Sequence, residues 1–258
     1  MSGDFIKDTA EALYLARAQG RRIPPLDPQT VGSLDAAYDI RDACDARASV
    51  SIVGWKVGGT APAAWEAIGA SEPFYARLLA PFCVKDGADV PVPERILGLE
   101  CEYAFTLARD LPVRAEPYTR ADVEAAIRNV FPALEIVGLR QDIPKPQHVF
   151  QMIADFGTNV GFVAGTPVED WRSVDYTGQE IAAIVNGETK TTGTGKNVFG
   201  HPLDALTWAA NKASSRGHGL HAGQFVTTGS TVGIVPASKG ETVAGDFGPL
   251  GRIEARLV

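Results

Sequence analysis

Beyond residue 50 the chain breaks into short apolar or alternating runs set between Gly- and Pro-rich turns. This change of rhythm limits the fold more than any other feature. The runs IVGWKVGG, GLECEYAFTL, PALEIVGL, VGFVAG, IAAIVNG, QFVTTGS, STVGIVP and RIEARLV each read as a strand. Before residue 50 the period is helical. Phe5, Thr9, Ala12, Leu13 and Ala16 share one face of a helix that GRRIPP ends. A second helix follows, with Ser33 as N-cap and Leu34, Ala37 and Tyr38 facing inward. Two more helices interrupt the strands. YTRADVEAAIRNVF carries Thr119 and Asp122 at capping-box spacing, and HPLDALTWAANKASSRG has Pro202 near its start and Gly217 at its end. Strands outnumber helices and do not alternate with them, which predicts mixed α+β rather than a doubly wound sheet. The boundary falls near Ser49, between a helical N-terminal part (1–49) and a β-rich body (50–258).

Within this pattern GLECEYAF holds two carboxylates. Alternate side chains of a strand share a face, so Leu99, Cys101, Tyr103, Phe105 and Leu107 lie on one side and Glu100 and Glu102 on the other. The two glutamate Cα atoms are ~6.6 Å apart by strand rise. Carboxylates that close raise each other's pKa unless a counter-charge is present, and a divalent cation with hard oxygen ligands (Mg2+, Mn2+ or Ca2+) resolves the repulsion. An isolated Glu-x-Glu also suits the wetted face of an antiparallel sheet. Glu135, the lone charge of the apolar run PALEIVG, is costly to bury unless paired and shifts the reading toward a metal site. Lys56 in GWKVGG reads equally as a cation for a metal-bound anion or as an edge-strand lysine.

Other candidates are weaker. GTGKNVFGHP fails the phosphate-loop spacing because Asn197 follows Lys196, and it reads as a turn and helix cap. His201 reads as a helix-start contact. His218 and His221 form an HxxH with no partner ligands nearby, and Ser230 does not fit a nucleophile elbow.

The chain has 258 residues, a net charge of -7 and a pI of about 5.2, with no Lys/Arg run, which argues against binding nucleic acid or an anionic membrane. Three scattered cysteines and a charged N-terminus without an apolar stretch predict a cytoplasmic protein. No run approaches the ~20 apolar residues of a membrane span.

Taken together, GWKVGGTAPAAWEAIGASEP, GLECEYAF, PALEIVGLR, NGETKTTGTGKNVFGHPLDALTWAAN and GLHAGQFVTTGS resemble the 2-keto-4-pentenoate hydratase family. That family lies in the fumarylacetoacetate hydrolase superfamily, with the 4-oxalocrotonate decarboxylases, and the resemblance runs from Leu34 onward. It implies a mixed β-barrel or roll with flanking helices, in which 50–258 is the catalytic domain. It implies an Mg2+ or Mn2+ site at Glu100, Glu102 and Glu135, with Lys56 as the catalytic lysine. It also implies a homo-oligomer acting on a small 2-oxo acid. Two departures stand out. Where relatives carry an acid after Glu-Pro, this chain has Phe74, so Glu72 or Tyr75 is expected to take its part. Where relatives resemble DNAS, this chain reads Asp155, Phe156, Gly157, Thr158, and Thr158 keeps the hydroxyl. Tyr75, Thr158, Lys190 and Ser230 are expected substrate contacts beside Lys56.

The implied activity is hydration of a 2-hydroxy-2,4-dienoate to a 4-hydroxy-2-oxo acid. Decarboxylation of a 2-oxo-enedioate and C–C hydrolysis of an acylpyruvate use the same enolate-stabilising core. The loss of an acid at Phe74 also fits a non-catalytic relative that binds metal or ligand.

Overall fold

The computed structural model describes residues 3–143 and 147–258. Three helices lead: α1 (Gly3–Gln19), α2 (Pro28–Val31) and α3 (Leu34–Ala48). Then come β1 (Ile52–Gly58), α4 (Trp65–Ile68), β2 (Phe74–Leu79), β3 (Cys83–Lys85) and β4 (Asp89–Val90). The middle of the chain forms β5 (Gly98–Leu107), α5 (Arg120–Glu124), β6 (Ile127–Val137), α6 (Val149–Ala154) and β7 (Asn159–Ala164). The last third holds β8 (Ile181–Val185), β9 (Glu188–Gly193), α7 (Pro202–Ser215), β10 (Phe225–Ser230), β11 (Thr242–Asp246) and β12 (Arg252–Leu257).

The strands make two sheets. One has seven strands in the order β2-β1-β10-β5-β6-β7-β3 and curls into a half-barrel; the other has five, β4-β12-β11-β8-β9. Pairing is mixed: β1 runs parallel to β10 and β3 to β7, whereas β5 and β6 are antiparallel over almost their whole length. The fold is therefore the mixed α+β arrangement that the strand-rich, non-alternating pattern predicted, curled into the roll that the family resemblance implied.

The larger sheet has two different faces. Its concave side carries a small apolar cluster of Leu78, Ala104, Phe131, Ala133 and Phe162, extended by Phe225. Each large side chain buried there contributes ~1.5–3 kcal/mol. Its convex side joins the main core, with Leu99, Cys101, Tyr103 and Phe105 of β5 packed among Val243, Ile253 and Ala255 of the second sheet. The N-terminal helices have no core of their own. Leu13, Tyr38 and Cys44 belong to the same buried cluster as Trp55 and Tyr75.

Helix starts follow their caps. The Ser33 hydroxyl accepts from Ala36 N, Thr119 and Asp122 form a reciprocal capping box, and His201 accepts from Leu203 N ahead of Pro202. Two readings of the sequence fail. The α5 helix ends at Glu124, and the segment from Ile127 onward is strand β6. Pairing with β5 from Ile127 to Val137 outweighs the helix preference of that stretch. STVGIVP forms no strand beyond an isolated bridge between Leu99 and Val235. The strands β2, β9 and β11 lack clear alternation and were not expected. No helix among the described residues is long and apolar enough to cross a membrane.

Candidate functional site

The β5–β6 register sets Glu100 directly opposite Glu135, with Glu102 opposite Ala133. In antiparallel pairing, opposed residues share a face. All three glutamates therefore point into the concave side of the roll, above the Phe131/Phe162 cluster. One carboxylate oxygen of each lies within 4.8 Å of the others. Across β10 and β1 the register continues Ala104–Thr227–Lys56, which brings Lys56 to the same side.

Each group is held by its neighbours. Glu102 Oε2 accepts from Gly229 N at 2.9 Å, while its Oε1 is buried without a partner. Gly229 has a φ of +102°, and a side chain there would meet Thr60 Oγ1 at 2.3 Å; only glycine allows this approach. Glu135 Oε1 accepts from Asn159 Nδ2 at 3.0 Å, and its Oε2 lies 3.2 Å from Lys56 Nζ. Lys56 also donates to Gly157 O at 2.9 Å. Glu102, Glu135 and Lys56 are almost wholly buried, whereas Glu100 keeps some exposure and marks the open end.

The turn that presents Gly157 is strained. Phe156, Gly157 and Thr158 have successive φ values of +53°, +61° and +68°. A β-branched residue rarely sits there. A Cβ on Gly157 would lie 2.6 Å from Ala76 Cβ and 3.3 Å from Lys56 Cδ, so the glycine makes room for the lysine stem. Arg140 holds the turn from behind: its Nε pairs with Asp155 Oδ1 and its Nη1 donates to Asn159 O at 2.6 Å.

The electrostatics follow from burial and mutual repulsion. Burial, together with Glu135, pushes the Glu100 carboxyl up to about 7 against the pull of Lys56. Burial, then Glu135 and Glu100, raise Glu102 well above the ordinary carboxylate range. Burial disfavours the Lys56 charge, but Glu135, Glu100 and Glu102 outweigh it and raise the Lys56 pKa.

The expected residues divide into two sets. Glu100, Glu102, Glu135 and Lys56 come together. Thr158 is close by, though its hydroxyl donates to Gly157 O at 2.5 Å. Ser230 stands opposite Glu102 in the β10–β5 register, but its Oγ donates to Gly233 O at 2.8 Å. Glu72, Tyr75 and Lys190 lie elsewhere. Glu72 pairs with Lys212 of α7 at 2.5 Å and lines a surface cleft. Tyr75 follows Phe74 on β2, so alternation turns it to the other face, where it stacks on Tyr38 at 4.9 Å and its carbonyl accepts from Arg41. Lys190 sits on the edge strand β9, paired with Glu188. Phe74 does face the site, its ring centroid 5.4 Å from Lys56 Nζ. His218 is engaged by Asp42 and Arg77 rather than a metal cluster.

Sequence reasoning missed Asn159, Gly229 and Gly157, which act on the glutamates or Lys56 by single hydrogen bonds. Only the Gly-rich and Asn-bearing strand ends hinted at them.

Known proteins place this architecture. The fumarylacetoacetate (FAA) hydrolase C-terminal family matches residues 43–258. The chain is 34% identical over 215 residues to a 2-oxo-hept-4-ene-1,7-dioate hydratase of Escherichia coli, covering 81% of this chain and 79% of that protein. It is 32% identical to a 2-keto-4-pentenoate hydratase of Burkholderia vietnamiensis, covering 99% and 98%. Its structure superposes with a TM-score of 0.92 and 26% identity on a 4-oxalocrotonate decarboxylase from Pseudomonas putida G7 solved with magnesium and adipate, covering 100% of this chain and 99% of that one. The chain therefore belongs to the fumarylacetoacetate hydrolase family, within its 2-keto-4-pentenoate hydratase and 4-oxalocrotonate decarboxylase group.

Proposed function

We propose that this protein is a divalent-metal-dependent lyase that hydrates a 2-hydroxy-2,4-dienoate to a 4-hydroxy-2-oxo acid. The observation that carries this reading is the concave cluster itself. Three convergent carboxylates and one lysine share a buried face, where Glu102 Oε1 has no hydrogen-bond donor and Glu135 Oε2 meets only the Lys56 ammonium, at 3.2 Å. An orphaned buried oxygen on a cluster of hard donors suits Mg2+ or Mn2+ held by Glu100, Glu102 and Glu135. Such an ion, when bound, supplies Lewis-acid stabilisation of negative charge on a 2-oxo acid.

The chain's own groups supply the rest. Lys56 Nζ, fixed by Gly157 O and Glu135, is positioned to bind the substrate carboxylate or to hold the proton delivered to the far carbon of the dienol. Protonation there gives the α,β-unsaturated ketone, and water then adds at its β position. Phe74 and the aromatic floor of Phe131, Phe162 and Phe225 exclude bulk water from below and beside the lysine. Glu72, which precedes β2, is paired with Lys212 of α7 rather than with Lys56, and this supports a proton route that does not use it. Glu72→Gln should cost at most ~1 kcal/mol of stability, as for a partly exposed ion pair, and leave turnover unchanged. A large loss of kcat in that variant would restore Glu72 to the site.

Asn159 steadies Glu135 from behind. Asn159→Ala should weaken Mg2+ binding about tenfold, as loss of an outer-shell hydrogen bond to a ligand typically does. Calorimetric titration reads the change, and wild-type affinity would remove Asn159 from this role.

A second reading, decarboxylation of a 2-oxo-enedioate, is favoured by the likeness to the decarboxylase over the whole chain. One experiment separates them. The protein with Mg2+ is given 2-hydroxy-2,4-pentadienoate, a 2-oxo-3-enedioate and an acylpyruvate, with loss of ultraviolet absorbance, CO2 release and product mass followed together. Dienoate turnover without CO2 supports the hydratase, and turnover of none of the three rejects both readings. Assembly into a homo-oligomer completes the proposal, with light scattering at micromolar concentration as its test; a strictly monomeric mass rejects it.

A further inference from the structure

A cavity of about 370 Å3 opens between the C-terminal end of α1, the β3–β4 region and Arg140. It lies apart from the glutamates, and its walls are largely apolar, among them Phe82, Val84, Val92, Leu139 and Val160. Five arginines also line it, against the single carboxylate of Glu94. Three of the five are compensated: Arg22 and Arg95 reach Asp142 at 3.0 and 3.6 Å, and Arg140 pairs with Asp155. Arg17 and Arg21 form no ion pair among the described residues.

Arg17 is the informative one. Its guanidinium lies over the rings of Phe82 and Phe156, 3.7 and 4.5 Å from their centroids. Its Nη2 donates to Asn159 Oδ1 at 3.0 Å, and its Nε is sealed from solvent with no acceptor. Burial, with Arg140 beside it, lowers its pKa to about 9. Asp45 and Asp155 favour its charge only from a distance and form no ion pair with it, so an anion that meets this half-buried guanidinium would stabilise it. An apolar chamber of this size, with a few convergent polar groups, has the character of a small-molecule site.

We propose that this cavity is a second binding site, for a small organic monocarboxylate with an apolar tail, anchored by Arg17 and Arg21. The aliphatic part lies along Phe82, Val84 and Val92, and the carboxylate meets the two unpaired guanidinium groups. The site depends on α1, which precedes the family-matched residues 43–258. It does not depend on the proposed lyase reaction.

Octanoate, titrated into the full chain in the presence of Mg2+ and followed by calorimetry, tests the proposal. The same titration on Glu102→Gln distinguishes this cavity from the carboxylate cluster. Saturable binding of octanoate, equal in wild type and Glu102→Gln, is expected, with hexylamine giving none. Arg17→Met should weaken it ~10-fold or more, the loss of a charge-assisted contact. Arg17 also supports Asn159, so Val84→Glu is the second variant: it leaves Arg17 in place and sets a carboxylate within the cavity, and it should abolish octanoate binding while circular dichroism stays native. Absence of saturable binding up to about 10 mM, affinities weaker than any specific site of this kind, overturns the proposal. So does binding lost in Glu102→Gln, or binding retained in a natively folded Val84→Glu.

Discussion

Glu102→Gln removes divalent-metal binding and leaves the protein folded. Glu102 is fully buried, with Oε2 fixed by Gly229 N and Oε1 free to face Glu100 and Glu135. The amide keeps the shape and can still accept from Gly229. It loses the charge that a hard cation requires. The fold does not need that charge. Burial and the two neighbouring carboxylates already favour the protonated form of Glu102, so a neutral side chain fits the metal-free site at least as well. Calorimetric titration with Mg2+ and with Mn2+ should show saturable heat in wild type and none in the variant. Thermal unfolding gives an independent reading. Metal that binds only the folded state raises the Tm of wild type by mass action, and the variant should show no such rise. Unchanged Mg2+ and Mn2+ affinity in Glu102→Gln would reject the ligand assignment.

Glu100, Glu102 and Glu135 were legible in the sequence by strand period, whereas Lys56 read equally as an edge-strand lysine until the family resemblance placed it. A strand's period of two is strict, so a charge within an apolar run announces the face on which it lies. Glu135 stood out because it is the lone charge of the apolar run PALEIVG. The same rule, applied to β2, would have turned Tyr75 away from Phe74. The family pattern draws attention to the missing acid at Phe74 instead, and so brings in Tyr75, whose side chain lies on the opposite face of β2. Lys190 and Glu72 show a different limit. Both are polar residues in motif-bearing segments, and their positions depend on where β9 and α7 pack, which no local pattern encodes. The second layer was least legible. Asn159, Gly229 and Gly157 act through one hydrogen bond or one close approach each, across separations of 24 residues for Asn159–Glu135, 127 for Gly229–Glu102 and 101 for Lys56–Gly157. Contacts so distant in sequence leave no periodic trace.

The helix boundary near Glu124 makes the same point for the fold. RADVEAAIRNVF has good helix formers and a true capping box, and the cap does start a helix. What ends it is the demand of β5 for a partner. From Ile127 the chain gives β5 the backbone pairs it needs, including the Glu100–Glu135 pair. Had helix α5 run on through Phe131, Glu135 would not have reached Glu100.

Lys56→Met lowers kcat/KM ~30- to 150-fold, the effect of a lost charge-assisted contact of ~2–3 kcal/mol. Methionine is chosen because it keeps an unbranched stem in the channel between Gly157 and Ala76, so that the change reports charge rather than packing. Lys56 is the one cationic side chain among the described residues that pairs with a cluster glutamate. In the proposed reaction, its loss would leave the substrate carboxylate, or the proton bound for the dienol carbon, without a partner. The split between constants tells these roles apart. A rise in KM at constant kcat marks an anchor for the carboxylate, whereas a fall in kcat at constant KM marks a group that acts in the transition state. Metal affinity should hold or rise, because a protonated lysine is no ligand for Mg2+ and competes for Glu135 from 3.2 Å away. The measurements are steady-state kinetics on 2-hydroxy-2,4-pentadienoate at saturating Mg2+ and a parallel Mg2+ titration. Wild-type kcat/KM in Lys56→Met would exclude the lysine from the reaction. Loss of metal binding in the same variant would show instead that its role is to hold Glu135 in place.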